Sequence, residues 1–314
     1  MIDFRYHLVS LIAVFLAVAL GIVIGTTQLN QPILNDIRNQ VTDLEQDKRS
    51  LEDRTQALQA EVDSAEAFQQ AVAPALVGTT LAGRSVLLVT TGAEIADETV
   101  EEVTAMVDEA GGAVSGVVEL QPGYTDPSSQ TSLQSYVTGS GRPAGIQLPE
   151  NGDAGVLVGS LLAQVLMIPP GGPAPDSAAL SSVLAGLTSL DVLTLDGASV
   201  VPADYAVVLT AGVPAGEDAE ARTATLVELV TALDAAGSGT VVAGDQASAG
   251  ETGLVGVVRA DPELSAAVST IDNIGTAVGR ISSVLALGRE AEGTSGKYGT
   301  GEGAQPVPPV PAAQ

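Results

Sequence analysis

The chain has 314 residues and a net charge of −26, from 38 acidic against 12 basic side chains. A surface this acidic repels phosphate backbones and no basic stripe interrupts it, which argues against nucleic acid, and against anionic lipid headgroups, as partners of the soluble part. Cysteine is absent and histidine occurs once, at His7, so disulfides, thiol chemistry and most imidazole catalysis are excluded.

The first element is Leu8–Gly25, eighteen residues in which Ser10 is the only polar side chain. A helix of that length covers about 27 Å, close to a hydrocarbon core of roughly 30 Å. Residues 8–27 therefore read as a transmembrane helix. A cleaved signal peptide is the alternative, but no small-x-small cleavage site follows Gly25, and a retained anchor is expected. With so short a leading segment, residues 1–7 are expected in the cytoplasm and the rest outside the membrane. Arg5 before the helix and Arg38 after it add only a small bias to that orientation. Small residues at Ala13, Ala17, Gly21 and Gly25 form a narrow face on which two such helices can pair closely.

From residue 30 to residue 73 the pattern is a heptad. Leu34, Val41 and Val62 occupy a, and Ile37, Leu44, Leu51, Leu58, Ala65 and Val72 occupy d, with Lys48, Thr55 and Gln69 at the other a positions. Leucine at d with valine and polar residues at a favours a two-stranded parallel coiled coil. Helices side by side in a membrane would have the same polarity, so both segments predict a parallel homodimer. Ala73-Pro74 is expected to end the stalk.

Residues 80–290 alternate between strand and helix. Apolar residues make up 45% of the chain but aromatics only 3%, so the core is built from Ala, Val, Leu and Ile. Unbroken β-rich runs at Ser85–Thr91, Ala113–Leu120, Asp191–Leu195, Tyr205–Thr210, Thr240–Ala243 and Val268–Ile271 read as strands buried on both faces. Helices are expected at 96–110, 128–137, 155–168 (capped by Asn151 or Asp153), 176–187 (capped by Asp176), 217–236 and 275–287 (capped by Asp272 or Asn273). The fold class is α/β: a doubly wound, mostly parallel, Rossmann-like sheet. Strand ends at Thr91-Gly92, Asp196-Gly197, Gly212 and Gly244-Asp245 mark the crevice where open sheets of this class hold ligands.

Catalytic signatures do not fill that crevice. The first turn, TTGAEIADE, has no GxGxxG and starts its helix with acid, which repels a pyrophosphate. Gly237-Ser238-Gly239 precedes a strand, Gly296-Lys297 lacks the rest of a P-loop, and there is no GxSxG elbow. Asp196, Asp245 and Asp272 could converge on a hard cation, but turn and helix-cap roles suit them better. No enzyme activity, cofactor or resident metal is expected. Residues 291–314, Gly-rich and then PVPPVP, read as a disordered spacer.

The opening MIDFRYHLVSLIAVFLAVALGIVIG, followed by a coiled coil, and the closing VSTIDNIGTAVGRISSVLAL, followed by GKYG, resemble the MctB family of copper transport proteins of high-GC Gram-positive bacteria. The resemblance covers essentially the whole chain. It implies a membrane-attached envelope protein assigned to copper efflux, sometimes as a pore, with related members linked to a membrane partner in septum formation and cell separation. Copper as a partner rests on that resemblance alone. Copper prefers Cys, Met and His, and this chain offers only His7, Met106 and Met167 beyond the initiator, both methionines inside apolar helical patterns. No side-chain copper site of high affinity can be assembled from them, and one helix cannot enclose a pore. The residues therefore favour a dimeric stalk-and-head scaffold for an envelope or division protein, with copper transport as the second reading.

Overall fold

The computed structural model describes residues 4–92, 95–139, 141–197 and 199–310, with backbone alone at 4–5 and 26–34. In chain order the elements are α1 (Phe4–Val77), β1 (Ser85–Thr90), α2 (Asp97–Glu109), β2 (Ala113–Leu120), α3 (Pro122–Thr125), α4 (Gln130–Thr138), α5 (Ala154–Leu166), α6 (Ser177–Ser189), β3 (Leu193–Asp196), β4 (Tyr205–Thr210), α7 (Ala219–Ala236), β5 (Thr240–Gly244), α8 (Leu254–Ala260), α9 (Pro262–Ala267), β6 (Ser269–Ile271), α10 (Ala277–Glu290) and β7 (Lys297–Tyr298). Residues up to Ala65 form one compact unit and Glu66 onward a second.

In the first unit, α1 carries Tyr6–Gly25, a stretch long and apolar enough to cross a membrane and with none of its residues buried. Further along, i,i+4 pairs line its flanks: Lys48 to Glu52 at 3.3 Å, Arg49 to Glu45 at 3.4 Å, and the Gln59 amide donating to Asp63 at 2.8 Å. Such pairs give only about 0.2–0.5 kcal/mol each.

The second unit is built on a seven-stranded sheet of order β3-β2-β1-β4-β5-β6-β7. Every pairing is parallel except β2 with β3. Side chains alternate between the two faces, and each face has its own core. Leu87, Val89, Ala206, Val208 and Val242 pack with α4 to α8 on one side. Val86, Leu88, Val207, Leu209 and Val241 pack with α2, α10 and the end of α1 on the other. Strands covered on both faces need apolar residues at every position, which is why β4, YAVVLT, and β5, TVVAG, are buried throughout. On the second face, Arg280 of α10 reaches Glu102 of α2 at 2.8 Å, so the buried guanidinium is neutralised where the two helices meet.

Several expected boundaries move, each for a physical reason. Pro74 does not end α1: the helix continues to Val77, because Ala73 and Val77 are fully buried in the sheet core and offset the lost proline N–H. The strand expected at 191–195 lies at Leu193–Asp196 and runs antiparallel, after a turn in which Asp191 takes a φ of 57°. Thr276, not Asp272 or Asn273, caps α10, its hydroxyl accepting from Gly279 N at 3.1 Å. Asp153 and Asp176 cap α5 and α6 as their sequence positions suggest.

The segment after α10 is the largest correction. Instead of a free spacer, it returns to the sheet as β7, parallel to β6, with Tyr298 buried. Lys297 donates to Arg259 O at 2.6 Å, and Gly299 N bonds Gln305 O at 2.8 Å. Residues 311–314 lie outside the described part.

Candidate functional site

The pairing face expected on the apolar helix is open. Ala13, Ala17 and Gly21 are exposed, Gly25 is half-buried, and a Cβ built on either glycine meets no atom within 4 Å. Of the zipper positions, Ile37, Val41, Leu44, Leu51, Leu58 and Val62 are 49–69% exposed, Ala65 is exposed, and Leu34 falls outside the described side chains. Val72 differs. It is half-buried in the last turns of α1, next to Ala73, which belongs to the sheet core.

In the second unit, the strand order reverses between β1 and β4. From β1 the chain passes to α2 on one face of the sheet, and from β4 to α7 on the other. The carboxyl ends of the two strands are left facing a small crevice of about 200 Å³. Its floor is polar: Thr91 Oγ1 and Thr210 Oγ1 are hydrogen-bonded at 3.2 Å. Arg222 from α7 enters from one side, and Val213, Pro214, Leu226 and Leu254 form apolar walls. Gly92 is required where β1 leaves the sheet, since its φ is 64° and a Cβ would strike Leu120 O. Thr91-Gly92 and the 210–214 turn thus meet where the sequence placed them. What sequence reasoning missed is Arg222, whose one signal was a basic residue in an otherwise acidic helix start, EDAEAR.

The three candidate aspartates do not converge. Because β3 is antiparallel, Asp196 pairs with Val117 midway along β2, set back from the carboxyl end of that strand, where Leu193 pairs with Leu120. It is also four strands from β5, roughly 19 Å at the usual strand spacing. Asp245 accepts from Gly212 N at 2.9 Å and Ser248 N at 2.8 Å, tying the turn after β4 to the turn after β5. Asp272 is fully buried and bound to Arg259 at 2.6 Å, Thr300 N at 2.7 Å and Gly301 N at 2.9 Å. Arg259 in turn donates to Thr270 Oγ1 and Tyr298 O, so this network holds residues 298–301 against β6. Met106 and Met167 are both buried in the two apolar cores.

A larger cleft of about 930 Å³ lies beside α5 and α7, lined by Ile146, Pro149, Val156, Met167 and Val227, with Glu228 at its edge. Helices α5 and α7 pack closely there because Gly155 and Gly159 face α7; a Cβ at Gly155 would collide with Glu228 Oε2. Burial, and then the charge of Asp153, push the Glu228 carboxyl up to about 7. Burial likewise raises Glu290 to about 7, with the neighbouring Asp234 adding to it. Asp234 itself is raised to about 6, again chiefly by burial.

These raised carboxyls set a pH dependence. The folded chain holds their protons more tightly than the unfolded chain, so their stabilising contribution is full below about pH 4.5 and is lost as pH rises through about 7. Asp204 and Asp272 act oppositely. Both are held below the usual carboxylate range by donors around them, against the opposing effect of burial, and their contribution is lost in acid. Thermal unfolding of the solubilised chain should therefore show greatest stability near pH 5, falling by about 2 kcal/mol towards pH 8. The alkaline fall should flatten in the Glu228→Gln, Glu290→Gln double variant.

Sheet and helices together define an α/β domain in a chain that also carries, among its described residues, one exposed apolar helix of membrane-crossing length, which fits membrane anchoring. The chain belongs to the MctB family: the family model described as "Copper transport outer membrane protein, MctB" matches residues 1–309. It is 34% identical over 311 residues to proteins named "Copper transporter MctB" from Mycobacterium tuberculosis (strain ATCC 25618 / H37Rv) and Mycobacterium bovis (strain ATCC BAA-935 / AF2122/97), covering 98% of this chain and 99% of each relative. The protein of the same name from Mycobacterium leprae (strain TN) is 34% identical over 315 residues, with the same coverage.

Proposed function

We propose that this MctB-family chain is a non-enzymatic, membrane-anchored scaffold of the cell envelope. In this reading residues 1–7 are cytoplasmic, the helix at 8–27 is an uncleaved anchor, and two copies pair in parallel through it and through the heptad of residues 30–73. The heads, doubly wound and Rossmann-like, are then displayed outside the membrane to an envelope or division protein. The observation that carries the reading is the run of heptad leucines and valines left uncovered along α1, since a helix with a solvent-exposed apolar stripe lacks the burial that stabilises it. The strand order and the two-faced core support the description of the head.

The second reading follows the relatives' name: the chain helps to move copper across the envelope, as an accessory or as part of a larger pore. One set of strains separates the two. A deletion strain is complemented with chains whose residues 34–72 are replaced by an unrelated parallel dimeric zipper or by a monomeric helix of equal length. The scaffold reading expects growth, septation and copper tolerance to be restored by the first and not by the second. Restoration by the monomeric helix removes it. Copper conductance by the purified chain in planar bilayers would establish transport instead.

A further inference from the structure

We propose that the crevice between the carboxyl ends of β1 and β4 binds a small organic monocarboxylate, held by Arg222 and the Thr91–Thr210 hydroxyl pair. Its place in the fold is the first argument. Successive connections leave this point on opposite faces of the sheet, and the gap so formed is where open α/β sheets hold their ligands. Its size is the second. About 200 Å³ is below the 300–1,000 Å³ usual for drug-sized molecules, so the occupant is small.

The walls decide the chemistry. In a chain of net charge −26, the only charged side chain lining this gap among the described residues is a cation. Arg222 Nε is buried without a partner, although the rest of the side chain is half-exposed. A guanidinium N–H withdrawn from water and left unpaired is matched by a carboxylate, which accepts two parallel N–H bonds. The threonine pair adds a second polar contact. One hydroxyl must donate to the other across 3.2 Å, and the acceptor's own proton remains free for a ligand oxygen. Asp126, next to the Thr125 wall, already feels the Arg222 charge, so a single negative charge is the most the gap can balance and a dianionic phosphate fits poorly in so acidic a protein. Opposite the polar floor, Pro122, Val213, Pro214, Leu226 and Leu254 cover a short apolar body.

The test is equilibrium dialysis of radiolabelled benzoate against the full chain in lipid nanodiscs, with empty nanodiscs as the blank. Saturable binding of one benzoate per chain is expected, displaced by unlabelled hexanoate and not by benzyl alcohol or inorganic phosphate. Arg222→Gln should weaken it roughly tenfold or more, as expected for loss of a charge-assisted hydrogen bond. Val213→Trp should do the same by filling the gap while leaving the guanidinium in place, and it decides the matter if Arg222→Gln melts abnormally. The proposal is overturned by the absence of saturable binding above the blank, by unchanged affinity in both variants, or by phosphate competing as well as hexanoate.

Discussion

Replacing Arg259 by Met should destabilise the head domain by about 3 kcal/mol, the cost of leaving one member of a buried ion pair without the other. Arg259 and Asp272 meet at 2.6 Å with side-chain exposures of 9% and 0%, so water cannot replace the missing charge. Asp272 would keep its bonds from Thr300 N and Gly301 N, which favour the charged carboxylate and limit the loss. The guanidinium is also the link from α8 to Thr270 of β6 and Tyr298 of β7. Its removal should therefore loosen residues 297–305 before the rest of the domain. Limited proteolysis should cut there first, and thermal unfolding should give the global cost. Adding Asp272→Asn to Arg259→Met should recover part of the loss, because the uncompensated charge is then gone. A cost below about 1 kcal/mol, with no new cleavage near residue 300, would show that the pair does not hold this segment.

The second large effect concerns the proposed pairing of α1. Substituting Glu at both Leu44 and Leu51 places four carboxylates in the seam of a dimer. Each leucine gives up about 2 kcal/mol of burial, so association should weaken on the order of 10⁵-fold even before charge repulsion is counted. Both side chains stand more than 60% exposed on α1, so a single copy should tolerate the change. Sedimentation of the full chain in detergent should shift from dimer to monomer, while the melting of the head stays unchanged. Leu44→Met with Leu51→Met, which keeps an unbranched apolar side chain of similar volume at d, should remain dimeric. A sedimentation profile unaffected by the glutamates would remove the zipper and the scaffold with it.

Legibility in the sequence followed the range of the interactions. β4 begins and ends at the residues where its apolar run begins and ends, because a strand buried on both faces leaves a nearly uninterrupted run of Val, Leu and Ala; β2 keeps its expected bounds too, but with Ser115, Gly116 and Glu119 in it and only part of its length buried. Asp153 and Asp176 were readable as caps, since a cap acts on N–H groups within three residues of itself. Other elements gave no such signal. α8 and α9, near Arg259, are six or seven residues each, too short for a period to emerge. β7 is two residues long, and its surroundings are rich in glycine. The crevice was located by its Thr-Gly ends, but Arg222 reaches it from a helix twelve residues beyond Thr210, and nothing local marks that reach.

The sequence by itself determined the apolar helix of membrane-crossing length, the heptad stripe, the α/β class and most of the strand and helix segments. Each of these depends on hydropathy and periodicity within a window of a few turns. Only the tertiary structure decided that β3 runs antiparallel, so that Asp196 is carried away from the ligand-holding end of the sheet. It alone showed that Asp272 is committed to Arg259 and the 300–301 backbone, and that the glycine-rich segment closes the sheet as β7. Those outcomes depend on hydrogen bonds and charges between residues far apart in the chain, and their partners are settled by which faces the sheet buries.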